Sequence, residues 1–394
     1  MKRNPTLLIL MLIMLVNALS YGTIIPLLYP YATRFGINPV GLSFLFASFS
    51  LAQLIATPII GRLSDKFGRK PLLLISLLGT SLSLALFASA ESALMLFVAR
   101  IFDGITGGNV SVAQASIADS TKKENRAQAF GMLGAAFGFG FLFGPAIGGL
   151  LSTYSLAAPF WFGSGLALIA TIAGMFFLHE TLPPKKREKQ SVSPTSNFNT
   201  IVAAFNNPLT STVLIVSLIF STSLNAWIIG FNAFSTDILH LSTRNIGLIF
   251  ASFGFISIVM QAWGIRVLFK RFTQKNSILL YSLIFSFLAI GSLYFVESYI
   301  PYLVMIMLYA VVSAPINPLL TSFLSERTHE SDQGKIMGIN QAIISMGQVI
   351  GPLFAGLIAG ISINSIFLFS ATLIVFCMIT VKKLHRSTQK AILQ

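Results

Sequence analysis

Apolar residues run along this chain in stretches of about 20, the length that crosses roughly 30 Å of hydrocarbon as a helix. Twelve such stretches fall at roughly 6–29, 41–61, 72–90, 93–117, 128–150, 159–179, 209–233, 244–266, 277–296, 301–323, 335–360 and 364–381. Short polar segments separate them, with one long exception from Glu180 to Asn207. Pro183, Pro184 and the cluster Lys185, Lys186, Arg187 open that segment, and Ser and Asn follow. The pattern predicts an all-α membrane protein of 12 transmembrane helices. Its domains are an N-terminal six-helix half (1–180), a cytoplasmic linker (181–207) and a C-terminal six-helix half (208–394).

An internal repeat supports that division. Shifting the chain by 207 residues puts Gly131 on Gly338, Gly140 on Gly347, Gly144-Pro145 on Gly351-Pro352, Gly149 on Gly356 and Asp119 on Glu326. Two parallel pseudo-symmetric halves are one plan of secondary transporters, with the cargo site near the bilayer midplane where the halves meet.

Composition narrows the class. The chain is 55% hydrophobic and 10% charged, with a mean hydropathy of +0.81. A soluble chain carries about a quarter charged residues, so the lipid bilayer is the expected solvent. The net charge of +14 does not indicate nucleic acid, because the basic residues punctuate the gaps between spans. With the N-terminus placed in the cytoplasm, 23 of the 26 Lys and Arg face inward. Arg34 and Arg244 face outward and Arg100 lies within a span. That bias fixes cytoplasmic N- and C-termini. No small-x-small cleavage site follows Lys2, Arg3 and the first apolar run, so that run reads as a retained helix. The lone Cys377 makes no intrachain disulfide, and no Cys/His cluster suggests a metal. No phosphate-binding G-x-x-x-x-G-K-[ST] loop occurs, so ATP drive is not expected; the reading includes no cofactor.

Residues 61–71 read Gly-Arg-Leu-Ser-Asp-Lys-Phe-Gly-Arg-Lys-Pro between two apolar runs. They resemble the cytoplasmic loop between helices 2 and 3 of major facilitator superfamily transporters. In that family the loop latches the two halves, which implies a conformational latch at Gly61, Asp65, Gly68 and Arg69. The plainer reading is a short basic loop with Asp65 capping a helix. The corresponding segment of the second half, Gly264 to Asn276, is basic but lacks the Asp and the second Gly.

Gly140, Gly144 and Gly148 repeat at four-residue spacing and share a helix face, with Pro145 and Gly149 beside them. The run resembles the antiporter motif of the superfamily's exporters. Read from physics alone it is a small-residue packing face without directional meaning.

Arg100 and Asp103 lie three residues apart in the fourth span, with Asp103 near the bilayer middle. An ionisable group there is costly and by default functional. No other carboxylate lies deep in a span. Asp103 is thus a candidate proton-coupling acid with Arg100 as its tuner. The competing reading is a fixed ion pair that never titrates.

Arg100 to Asp119, Gly22-x-x-x-Pro26 and His179-Glu180-Thr181 are similar to the tetracycline-exporter-like, multidrug branch of the drug:proton antiporters (the DHA1 group). That branch carries an Asp where this chain has Asn17, and an acid in span 9 where residues 277–296 have none. Tetracycline as cargo is therefore doubtful, and coupling falls on Asp103 alone. The plan implies a cavity lined by spans 1, 4, 7 and 10, with candidate residues Asn17, Tyr21, Asn109, Gln114, Asn225, Trp227, Asn232, Tyr309 and Asn317. For each of these, glue between helices is an equal reading.

The resemblance implies a proton-coupled exporter of small hydrophobic or amphipathic molecules, acting as a monomer in a bacterial inner membrane. An importer or facilitator of a specific metabolite is the alternative, and predicts a cavity richer in charge. An enzyme or sensor on the same scaffold predicts a clustered acid/His/Cys constellation. His179, His240, His329 and His385 all lie at span ends or in loops.

Overall fold

A computed structural model describes residues 5–121, 126–182, 208–272, 274–326, 328 and 333–392. Lys2, Arg3, most of the linker, His329 and the side chain of Asn109 lie outside the described residues. Twelve described helices are long and apolar enough to span a bilayer. A helix satisfies each backbone N–H and C=O internally, which hydrocarbon demands. In the first half they are α1 (Thr6–Ile24), α2 (Pro39–Phe67), α3 (Arg69–Ala88), α4 (Ala93–Ser120), α5 (Gly131–Leu151) and α6 (Ala158–Phe177). In the second they are α7 (Thr210–Ile238), α8 (Thr243–Gly264), α9 (Lys275–Phe295), α10 (Tyr299–Glu326), α11 (Ile336–Ala359) and α12 (Ile363–Lys382).

The helix ends follow local chemistry. Asn38 caps α2, its Oδ1 accepting from the Gly41 N–H at 2.9 Å, with Pro39 in the first turn where no intrahelical donor is needed. Residues 61–71, expected as a loop, are instead almost wholly helical. α2 continues to Phe67 and α3 begins at Arg69. Gly68 alone breaks the path, at φ 110° and ψ 157°. That backbone is open to glycine and strained for other residues. Charged residues extend α2 past its apolar stretch because Asp65 and Arg69, four apart, pair across the junction.

The 207-residue repeat reappears in the helix breaks. α4 is interrupted at Gly107-Gly108 and α10 at Ala314-Pro315, which are equivalent positions. Different chemistry makes the same break: absent Cβ atoms in one half, an absent N–H in the other. Helix packing repeats as well. α1 lies against α5 and α6, as α7 lies against α11 and α12; α3 lies on α6 as α9 lies on α12.

The contacts define two compact units, Met1–Ser191 with Leu241–Ala251 and Val192–His240 with Ser252–Gln394. The first is cored by Leu10, Ile13, Met14, Leu73, Leu77, Val112, Ile117 and Leu133. Its outer helix faces carry exposed Ile55, Ile75, Leu94 and Ile169, a surface suited to lipid rather than water.

Candidate functional site

Arg100 and Asp103 sit on the buried face of α4, at 3% and 6% exposure. The glycines around them let helices close in. A Cβ at Gly104 would lie 2.5 Å from the Phe49 carbonyl oxygen and 2.7 Å from the Ala52 Cβ, both on α2. On the α3 side, a Cβ at Gly79 would collide with Thr106. Gln53 of α2 donates its Nε2 to the Gly107 carbonyl at 3.0 Å and ties down the break in α4.

The Arg100 Nη1 lies 3.5 Å from the Asp103 Oδ2, at the outer limit of a hydrogen bond. The guanidinium carbon instead sits 4.1 Å from the centroid of Phe49, a close cation–π geometry. Among the described residues Arg100 Nε has no hydrogen-bond partner. Thr80 of α3 faces the Asp103 carboxylate, and Tyr21 of α1 lies within electrostatic reach of both charges. Tyr21 also contacts Phe49, ring centroids 5.9 Å apart. Four helices thus converge on one acid and one base.

A second cluster surrounds Arg69. Its Nη2 lies 2.6 Å from Asp65 Oδ1 and its Nε 3.0 Å from Asp119 Oδ2 at the end of α4. Its Nη1 donates to Ser64 Oγ at 2.6 Å. Glu180, just after α6, accepts from the backbone N–H groups of Arg69 at 2.9 Å and Lys70 at 3.3 Å. It also accepts from the Leu182 N–H at 2.9 Å. A carboxylate at the start of α3 satisfies orphan donors and complements the helix dipole. Three separated sequence motifs therefore meet at one arginine, wholly within the first unit. Around Gly61, by contrast, an added Cβ would meet nothing within 4 Å. The second unit holds a reduced counterpart, in which Lys275 pairs with Glu326, itself bonded to Ser322 at 2.7 Å.

The glycine face of α5 is a helix-packing surface. A Cβ at Gly140 would lie 2.6 Å from the Leu15 carbonyl oxygen. One at Gly144 would lie 2.8 Å from that of Leu19, and one at Gly148 2.8 Å from that of Thr23. Thr23 Oγ1 donates to the Gly144 carbonyl at 3.1 Å. Gly149 points elsewhere and meets Arg244 and Gly247 at the start of α8, the Gly247 Cα at 3.2 Å. The second unit repeats the α1–α5 contact. Gly347 and Gly351 of α11 press on Ser221 and Thr222 of α7.

The expected cavity residues divide between the units. In the first, Asn17 and Tyr21 are half-buried and Gln114 is exposed. In the second, Trp227 and Tyr309 meet at 5.2 Å between ring centroids, and Phe253 stacks on Trp227 at 4.9 Å. Asn232 is fully buried and donates to the Ile228 carbonyl at 2.9 Å, while Asn225 donates to that of Ser221 at 2.8 Å. Both amides bond within their own helix. Asn317 is exposed. Sequence reasoning passed over Phe49, Phe253, Gln53 and Thr80. Gln53 and Thr80 carried a faint signal, as polar residues inside apolar spans. Phe49 and Phe253 carried none among 35 phenylalanines.

The comparisons with known proteins agree with this architecture. A family model described as Major Facilitator Superfamily matches residues 10–311 and 224–392. The tetracycline resistance protein, class C, of Escherichia coli is 32% identical over 90% of this chain and 89% of its own length. Multidrug resistance protein 1 of Bacillus subtilis is 30% identical over 94% and 93%. The crystal structure of the nucleoside transporter NupG superposes with a TM-score of 0.77 at 13% identity, covering 96% of this chain and 99% of that one, a likeness of fold alone. Twelve spanning helices, repeated helix breaks and these matches together make the chain a multi-pass membrane protein of the Major Facilitator Superfamily.

Proposed function

We propose that this chain exports small hydrophobic or amphipathic compounds, drugs among them, in exchange for protons. Relatives of nearly equal length named for tetracycline and multidrug resistance support efflux. The observation that carries proton coupling is the loose buried pair on α4. A closed, fully hydrogen-bonded ion pair in a dry site resists protonation. Here Asp103 has its cation at 3.5 Å, with the guanidinium drawn onto Phe49. The acid is therefore shielded from water yet only loosely paired with its cation, a condition that suits a group exchanging a proton in a membrane.

In this reading Asp103 carries the proton and Arg100 sets its ease of ionisation. Asp65 and Arg69, with Gly61 and Gly68, form the latch that changes partners during alternating access. Gly140, Gly144, Pro145, Gly148 and Gly149 keep α5 in close register with its neighbours. The protein works as a monomer in a bacterial inner membrane, with both termini cytoplasmic, and catalyses no covalent chemistry. Asn17, Tyr21, Asn109 and Gln114 of the first half, and Asn225, Trp227, Asn232, Tyr309 and Asn317 of the second, supply cargo contacts.

The test is efflux of chloramphenicol from pump-deficient cells, comparing the intact protein with Asp103→Asn at matched membrane levels. Efflux that a protonophore abolishes and Asp103→Asn removes is the expected result. Efflux that survives in the variant returns Asp103 to a structural role. Accumulation above that of cells lacking the protein, abolished by the protonophore, favours the importer.

A further inference from the structure

Resting on the efflux reading, we propose that Arg100 is a charge filter and hydrogen-bond handle. The site takes molecules without net positive charge that present an acceptor such as a carbonyl, and it rejects permanent cations.

The argument begins with a charge inventory. Among the described residues, Arg100 and Asp103 are the Asp, Glu, Lys or Arg side chains deep within the spans. The residues that face the pair are Tyr21 from α1, Phe49 from α2 and Thr80 from α3. None of these supplies a charge at neutral pH. The site therefore has two charge states. With Asp103 ionised the pair sums to zero; with Asp103 protonated it is positive. It is never negative. A permanent cation entering it loses its hydration and gains no net counter-charge. Once Asp103 is protonated, the cation also faces an unscreened guanidinium.

The second observation is a donor without an acceptor. Arg100 is 3% exposed, yet its Nε–H has no hydrogen-bond partner among the described residues. A buried unsatisfied donor on a charged group is costly, and each such group in a folded protein calls for a reason. The Phe49 ring holds the face of the guanidinium, and Asp103 approaches one terminal nitrogen. The Nε edge is left to receive an acceptor. Half-buried Tyr21 is the part of the cluster nearest the surface. An aromatic wall beside a lone donor suits a flat or amphipathic molecule with one carbonyl or similar group.

The test is direct binding to the purified full chain in detergent, independent of transport direction and of proton coupling. The probes are tetraphenylphosphonium, a permanent cation, and chloramphenicol, a neutral acceptor-bearing amphipath. The expected result is chloramphenicol binding at least about tenfold tighter than the cation, the margin expected when desolvation of a charge goes uncompensated. Arg100→Gln makes the site negative when Asp103 is ionised. It should gain affinity for tetraphenylphosphonium and lose affinity for chloramphenicol, an inversion that a merely damaged fold cannot produce. Asp103→Asn, which leaves the guanidinium uncompensated, should retain chloramphenicol binding and weaken the cation further. Equal binding of both probes by the intact protein, with no inversion in Arg100→Gln, overturns the charge filter and leaves the efflux reading standing. Binding of neither probe also overturns the charge filter, while the efflux reading stands or falls on the transport assay above.

Discussion

Arg69 shows how one residue can gather motifs scattered over 116 residues, its side chain holding Ser64, Asp65 and Asp119 and its backbone N–H holding Glu180. Its planar fork addresses two carboxylates and a hydroxyl at once, which a lysine cannot do. Arg69→Lys should therefore behave as a non-conservative change. At 8% side-chain exposure, the loss of charged hydrogen bonds should cost about 1–3 kcal/mol each. A lower melting temperature in detergent and reduced transport at normal expression would show it; an unchanged melt would mean that the cluster is redundant. Glu180→Gln is milder, because the amide oxygen still accepts while its charge at the helix start is lost, worth about 0.3–1 kcal/mol. Asp65 and Arg69 were legible because their spacing is local and their charge rare in such a chain. The roles of Asp119 and Glu180 were not, because nothing local to either shows that both end beside α3.

Among the elements, α5 offers a clean contrast between glycines that are required and glycines that are tolerated. A Cβ at Gly144 meets backbone atoms of Leu19, Gly22 and Thr23 between 2.8 and 2.9 Å. Backbone cannot yield as a flexible side chain can. At Gly131 and Gly134, an added Cβ meets nothing within 4 Å. Gly144→Ala should therefore push α5 off α1 and lower the yield of folded protein. Gly134→Ala should be neutral or stabilising by up to about 1 kcal/mol, the helix-propensity gain. Thermal unfolding of the two purified variants reads the difference, and equal melts would sink the packing account of the motif. Periodicity predicted the shared face of Gly140, Gly144 and Gly148, and it is the face that α1 covers. It could not say which neighbour covers it, nor that Gly149 turns toward α8. The spans were similarly legible from apolar length. Their ends were not, because α2 runs past its last apolar residues on an ion pair and ends only where Gly68 permits an unusual backbone.

At the scale of the whole molecule, duplication explains most of what the two units share and makes their differences informative. Equivalent breaks in α4 and α10, and equivalent contacts of α5 on α1 and α11 on α7, preserve the mechanical frame. Charge has not been preserved in the same way. The first unit buries Arg69, Arg100 and Asp103, whereas the counterpart pair of the second, Lys275 with Glu326, is 40% and 50% exposed. An exposed pair contributes about 0–1 kcal/mol, so Lys275→Ala should leave stability nearly unchanged where Arg69→Ala does not. The sidedness of charge gives a last prediction for the entire chain. Cys377 is the single cysteine and is fully buried against α7, its Sγ 3.8 Å from the Val216 carbonyl oxygen. Replacing it with Ala yields a cysteine-free background at the modest cost of one buried sulfur. New cysteines at Arg34 and at Lys270, both exposed, then report opposite faces. The bias of 23 basic residues to one side predicts cytoplasmic termini by the positive-inside rule. Arg34→Cys should accordingly react with a membrane-impermeant maleimide in intact cells, and Lys270→Cys only after permeabilisation. The reverse labelling pattern would invert the topology, and with it the transport direction proposed for the chain.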